Sequence, residues 1–347
     1  YEMESTAYGK GTIKRFEINN SNVTFTMKRA TKIYDGDRTV KYNESADPSA
    51  VKNYVDTATL QLNGKTMDIK GSISAGSGTY DTTPNVNGGA QQGVTYELTY
   101  TGSNSNITIA SGTKLHAAGV GVITPKTVTA TVKGPLKKIY DGTTTAMNLA
   151  ADAQGSVVTK GEHIVDINGL VAGSKNESTA VFTSKDAGEG NRTVHYTVGI
   201  DAAHADNYRL VDENGHTITA PIETHNNTIT RRHVALTYAP VQKDYDATPD
   251  NTSIGAPTVS SADAAVLARD RSTLISGGAV TGLTGITSQY GTGTGAAFAA
   301  DKNAGDKSVR YQNTGAAMRA ALGSDAGNYL FDEHTYSTGK INKAHIN

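Results

Sequence analysis

The sequence contains no cysteine and no tryptophan. The first absence excludes disulfides, a thiol nucleophile and thiolate metal sites. A secreted eukaryotic chain of β-domains would often carry bridges, so their absence favours a bacterial surface protein. Charge is also sparse: Asp, Glu, Lys and Arg make up 19% of the residues, and they balance to a net −1. That leaves no polybasic surface for nucleic acid or anionic lipid. No apolar run approaches the length of a membrane span, and no charged-apolar-small signal segment is present. The abrupt start at Tyr1-Glu2-Met3 reads as a cut from the middle of a longer protein. Thr, Ser, Asn and Gly are abundant instead, a polar but weakly charged balance that suits all-β extracellular modules.

One motif recurs. It reads Lys32-Ile33-Tyr34-Asp35-Gly36, then Lys138-Ile139-Tyr140-Asp141-Gly142-Thr143, then Lys243-Asp244-Tyr245-Asp246-Ala247-Thr248. The copies lie about 105 residues apart, far beyond the roughly 20–50 residues of a single solenoid unit, so the repeating object is a whole domain. A second landmark closes each repeat: Gly11–Arg15, Gly121–Pro125, Thr228–Arg232 and Gly339–Lys343 all read as one terminal strand. Alternating segments follow (Val23-Thr24-Phe25-Thr26-Met27, Val128-Thr129-Ala130-Thr131-Val132, Val234-Ala235-Leu236-Thr237-Tyr238), the pattern of half-buried strands. The expected organisation is a terminal strand or linker over 1–18, then repeats over 19–125, 126–230 and 231–347, with short linkers.

Other elements recur in order. Turns fall at Asn85-Val86-Asn87-Gly88, Lys185-Asp186-Ala187-Gly188 and Lys302-Asn303-Ala304-Gly305, and late strands follow Asn106-Ile107, Asn207-Tyr208 and Asn328-Tyr329. Strands of this number and spacing predict a β-sandwich. Short helices are expected from Asp47-Pro48 to Tyr54, over Ala262–Arg269 and over Ala316–Leu322, and Gly291–Gly295 is expected to be a loop.

Asp-Gly is a turn dipeptide, with the carboxylate bonding nearby N–H groups and glycine taking a positive φ. Ala247 in the third copy implies that a positive φ is not strictly needed there. The preceding tyrosine is expected to bury its ring and reach a backbone carbonyl with its hydroxyl. Lys32, Lys138 and Lys243 are expected to snorkel to water. The less favoured alternative is a Lys–Asn isopeptide crosslink to Asn106, Asn207 or Asn328, which needs a deprotonated lysine beside a carboxyl.

The run Lys-x-Tyr-Asp-Gly-Thr-Thr at Lys138–Thr144, with Lys185-Asp186-Ala187-Gly188, Asn207-Tyr208 and Gly121-Val122-Ile123, resembles the YDG domain of bacterial secreted adhesins and the related mostly bacterial immunoglobulin-like (MBG) modules. The third copy departs at Asp244 and Ala247, and the first has Ile107 where the others have tyrosine. The resemblance implies all-β, immunoglobulin-like sandwiches in an elongated rod, within long filamentous-haemagglutinin-type exoproteins exported by two-partner secretion. It defines no catalytic residue. Tyr34, Asp35, Gly36, Tyr140, Asp141, Gly142, Tyr245, Asp246, Asn207, Tyr208, Asn328 and Tyr329 therefore enter as a structural motif.

Chemistry is thinly represented. The histidines are scattered, without His-Glu-x-x-His, so no zinc site is expected. Asp35-Gly36-Asp37 and Asp212-Glu213-Asn214-Gly215 lack EF-hand spacing and read as turn carboxylates, with calcium at a domain junction the lesser alternative. There is no Gly-x-Ser-x-Gly elbow and no phosphate loop. The sequons, such as Asn176-Glu177-Ser178, are expected by chance in so Asn- and Thr-rich a chain. The expectation is a non-enzymatic spacer with no cofactor in an extracellular adhesin, supporting attachment or biofilm. Its partners would be neighbouring repeats. The alternative is a glycan- or host-protein-binding module in the third repeat, whose Gly255–Ala300 segment is longest.

Overall fold

Alternation of apolar and polar residues sets the strands. In Gln92–Tyr100 the buried positions are Gln92, Val94, Tyr96, Leu98 and Tyr100, one face of a pleated strand. The computed structural model describes residues 9–146 and 164–344. It is mostly β, 45% strand and 14% helix, with several sheets and few short helices. Residues 147–163, with His163, lie outside the described residues, as do residues 1–8 and 345–347.

The chain divides into two compact units: 1–131 with 167–177 and 199–218, and 132–166 with 178–198 and 219–347. The division runs through the segment 126–230 and does not follow the boundaries read from the repeat spacing. Each unit holds part of that segment: 126–131, 167–177 and 199–218 in the first, and 132–166, 178–198 and 219–230 in the second.

In the first unit Ala30–Ile33 runs parallel to Leu115–Thr124, which pairs antiparallel with Gln92–Tyr100 and through it with Ile73–Tyr80. A second sheet joins Val23–Met27, Val55–Leu62 and Lys65–Asp68. Its hairpin turns on Asn63-Gly64, both at positive φ, the conformation a two-residue hairpin loop requires. Ala58 and Leu60 of one sheet and Tyr96, Leu98 and Leu115 of the other belong to a single buried cluster. Gly121 leaves room for a ring, since a Cβ there would lie 2.6 Å from Tyr80 Cε1. Two short pairs are parallel: Phe16–Ile18 with Ile107–Ile109, and Lys126–Thr129 with Tyr208–Val211.

The second unit holds two sheets of the same strand order. Lys137–Ile139 is parallel to Ile222–Thr230, followed by Gly188–Thr197 and Thr179–Phe182. Val241–Asp244 is parallel to His334–Asn342, followed by Gly305–Gln312, Thr287–Thr292 and Ala299–Ala300. Arg232–Val234 runs parallel to Tyr329–Phe331.

Helices form where the sequence expects them. Asp47 caps Pro48–Val51 by accepting from Ser49 N at 2.7 Å, and a short 3-10 turn continues through Tyr54. Ser260 caps Ser261–Asp270, and the third helix covers Thr314–Leu322. Three expectations need correction. Gly291 and Thr292 belong to a strand rather than a loop, because Gly291 pairs with both Ser308 and Ala300. Gly11–Arg15 forms no strand and leaves Ile13 exposed, since no neighbouring strand pairs with it. Ala247 adopts a φ of 66°, so its turn does need the left-handed region that Gly36 and Gly142 occupy. A β-carbon there carries strain.

Candidate functional site at the Tyr-Asp turns

Each turn is organised by its lysine, which does not snorkel. Lys138 is 4% exposed, and its Nζ donates to Asp141 Oδ1 at 2.8 Å, Thr143 O at 2.7 Å and Thr145 O at 3.0 Å. Lys32 donates likewise to Asp35 Oδ1 at 2.6 Å, Asp37 O at 2.8 Å and Thr39 O at 3.1 Å. Lys243 repeats the set with Asp246, Thr248 and Asp250. The ammonium replaces its hydration shell with a carboxylate and carbonyls, which is what allows it to leave water. In each copy it also lies over an aromatic ring, Tyr80, Phe182 or Tyr290, at 5.4–5.8 Å from the centroid.

The charge pattern follows the geometry. Burial pulls the Lys138 ammonium below its ordinary pKa, with Asp141 opposing the shift. Burial acts to raise the Asp35 carboxyl, but hydrogen bonds from Lys32 and Lys41 hold it below its ordinary value. The bond from Lys243, with those from Thr248, brings Asp246 down to about 2. None of the lysines is set against a late asparagine: Asn207 and Asn328 have other partners, so the Lys–Asn crosslink has no geometry to support it.

Those partners define a joint. In the first unit the Tyr34 ring meets Tyr208 edge-on, at a centroid distance of 5.4 Å. Asn207 Oδ1 accepts from Val86 N at 2.8 Å, and its Nδ2 donates to Asn85 Oδ1 at 3.1 Å. Tyr208 Oη accepts from Val171 N at 2.9 Å and lies 2.7 Å from Ser174 Oγ. A Cβ at Gly36 would come within 2.7 Å of Val171 Cγ1, so glycine serves the close approach as well as the turn.

The second unit repeats this arrangement. The Tyr140 ring meets Tyr329 edge-on at 5.3 Å, and Asn328 Oδ1 accepts from Ala187 N at 2.8 Å. Asn328 Nδ2 donates to Asp186 Oδ1 at 3.3 Å. A carboxylate is added at the centre. Asp270, with a side chain only 1% exposed, accepts from Tyr140 Oη, Tyr329 Oη and Lys185 Nζ at 2.7–2.9 Å. Lys185 also reaches Asp325 Oδ1 at 3.2 Å, and Arg269 Nη1 donates to Asp141 O at 2.6 Å. Asp270 ends its helix, where a carboxylate faces the negative end of the dipole, and the three donors offset that placement.

The tyrosine hydroxyl of the second copy therefore reaches a carboxylate rather than the expected backbone carbonyl, and Asn207 and Asn328 bridge by hydrogen bonds rather than only packing. The repeat spacing assigns each Tyr-Asp turn to one repeat and the Asn-Tyr pair it meets to the next. The third turn differs: Tyr245 is 39% exposed, against 4% for Tyr34 and 0% for Tyr140. Asp37 and Asp212 act as turn carboxylates, Asp212 accepting from Asn214 N and His216 N. Among the described residues no group of three or more His, Asp or Glu is placed to hold a metal, and no helix is long and apolar enough to cross a membrane. Sequence reasoning named Lys185 but missed Asp270, which lies outside the recurring motifs.

Burial raises nine of the tyrosine hydroxyls. Tyr34, Tyr80, Tyr96, Tyr140, Tyr196, Tyr290 and Tyr329 are all shifted up, and Tyr238 and Tyr311 reach about 12. A raised folded pKa gives stability that is complete below the unfolded value of about 10 and is lost as pH climbs toward the folded value. A phenolate-absorbance titration reads this directly. These nine should ionise only in one cooperative step with loss of circular dichroism. A single smooth titration of all of them at about pH 10, with structure retained, would contradict this burial.

The family model described as YDG domain matches residues 124–216, a span that holds the Tyr140 turn and Asn207-Tyr208. No curated protein matches the chain.

Proposed function

We propose that the chain is a spacer: three tandem immunoglobulin-like sandwiches, over 19–125, 126–230 and 231–347, in the stalk of a secreted bacterial surface adhesin that supports attachment or biofilm. The observation that carries this reading is the recurrence of one joint. The same lysine-stapled turn occurs three times, and in two of them the tyrosine is covered by the Asn-Tyr pair of the following repeat. A contact repeated in series suits a protein that spans distance, and the described clusters hold no nucleophile–base pair set for catalysis. The short strand-to-strand junctions at Thr124-Pro125-Lys126 and Thr230-Arg231-Arg232 support it, because few free dihedrals separate consecutive repeats.

Pulling single molecules from both ends tests the modular reading. Three unfolding events are expected, each lengthening the chain by roughly 300–350 Å, the extended reach of about 105 residues less the folded length. One event spanning the whole chain would count against three repeats.

A second reading has one observation in its favour. A shallow depression of about 420 Å3 in the third repeat is lined by Asp250, Asn251, Gln289 and Gln312 among others. Asn251 Nδ2 is buried there without a hydrogen-bond partner. A polar hollow of this kind suits a glycan hydroxyl, and binding on a glycan array lost in Asn251→Ala would favour an adhesive module over a spacer.

A further inference from the structure

The third Tyr-Asp turn is built like the other two. Tyr245 N donates to Asn342 O at 3.0 Å, as Tyr34 N does to Thr124 O and Tyr140 N to Thr230 O. Lys243 staples it in the same way. What differs is its exposure: Tyr245 is 39% exposed, against 4% for Tyr34 and 0% for Tyr140. Beside Lys185-Asp186-Ala187, which dock Asp270 and Asn328, the sequence sets Lys302-Asn303-Ala304, and all three of these residues are exposed. Lys302 enters no salt bridge among the described residues.

We propose that Tyr245, Lys302, Asn303 and Ala304 form an open half of the same joint, whose occupant is a further repeat presenting a carboxylate and an Asn-Tyr pair. The inference rests on the spacer reading and names the partner. Each group on the surface has its counterpart at Tyr140. The Tyr245 hydroxyl and the Lys302 ammonium would converge on a carboxylate as Tyr140 and Lys185 do on Asp270. Ala304 N–H and the Asn303 side chain would take the incoming asparagine as Ala187 and Asp186 take Asn328.

The alanine at 247 narrows the choice of occupant. A Cβ at Gly36 would meet the branched Val171 at 2.7 Å, whereas one at Gly142 would meet the flexible Arg269 at 3.4 Å. The occupant is therefore of the Arg269-Asp270 kind, with a long side chain facing the turn. A second molecule of this chain does not supply it, because its own Asp270, Asn328 and Tyr329 are engaged with Tyr140.

The test extends the full chain. A second copy of residues 232–344, carrying Tyr245→Phe so that only the original Tyr245 is read, is fused directly after Lys343, which reproduces the one-residue spacing of the Thr230-Arg231-Arg232 junction. Tetranitromethane is the probe, and nitrated tyrosines are located by peptide mass spectrometry. In the unextended chain Tyr245 should be nitrated readily while Tyr34 and Tyr140 are protected. In the extended chain nitration of Tyr245 should slow by at least about tenfold, as expected when reaction requires local opening. Asp270→Asn in the added copy alone should restore it. A second fusion adds residues 126–230 to the Ala247→Gly chain, where the glycine makes room for Val171. Unchanged nitration of Tyr245 in both fusions overturns the proposal. Rapid nitration of Tyr34 and Tyr140 in the unextended chain would instead overturn the joints themselves, and with them the spacer reading.

Discussion

Replacing Tyr140 with alanine is expected to cost about 3–5 kcal/mol, the range for truncating a buried aromatic. The ring is fully buried, packs edge-on against Tyr329, and sends its hydroxyl to Asp270. Two contributions are separable. Tyr140→Phe keeps the ring and removes one of three donors to a buried carboxylate, so it should cost about 1.5–3 kcal/mol, the worth of a bond to a charged group. Because Tyr140 and Tyr329 touch, the double alanine variant should cost less than the sum of the two single ones. Urea unfolding of the four variants measures all of this. A Tyr140→Ala protein within about 0.5 kcal/mol of the parent, the usual limit for surface changes, would mean that the ring is not buried.

Lys138→Met should be nearly as damaging, at about 2–4 kcal/mol. It strips the donor from Asp141 and from the carbonyls of Thr143 and Thr145 inside a buried turn. Methionine fills most of the volume, so the loss reports the polar contacts. The matched change Lys243→Met should cost only about 1 kcal/mol, because Asp246 has a side chain 54% exposed and water screens that pair. Melting curves of the two variants give the comparison. Equal effects would show that burial of the lysine is not what gives the second turn its stability.

The strands and the Tyr-Asp turns were legible because both are local. Period-2 alternation marks Val23–Met27 and Gln92–Tyr100 directly, and an Asp-Gly pair announces a turn. Strand direction was not legible, since alternation says nothing about whether Lys137–Ile139 runs parallel or antiparallel to Ile222–Thr230. Lysine burial was hidden for a related reason: an ammonium can be buried only where the turn folds carbonyls around it, and no residue type encodes those carbonyls. Ala247 misled because identity alone suggested a relaxed φ, whereas the bonds from Lys243 to Thr248 and Asp250 impose the left-handed conformation. The joint was the least legible feature. Asp270 lies 130 residues from Tyr140 and outside every recurring motif, so the periodicity that exposed those motifs could not reveal it.

Small-angle scattering of the intact chain tests the spacer most directly, because a spacer must be long. Sandwich strands of about ten residues give modules roughly 35 Å long, and three in series make a rod of roughly 100 Å with a radius of gyration of about 30 Å. That is the expected value. A radius of about 20 Å, the compact scaling for a chain of this length, would mean that the repeats fold back on one another and would contradict the spacer.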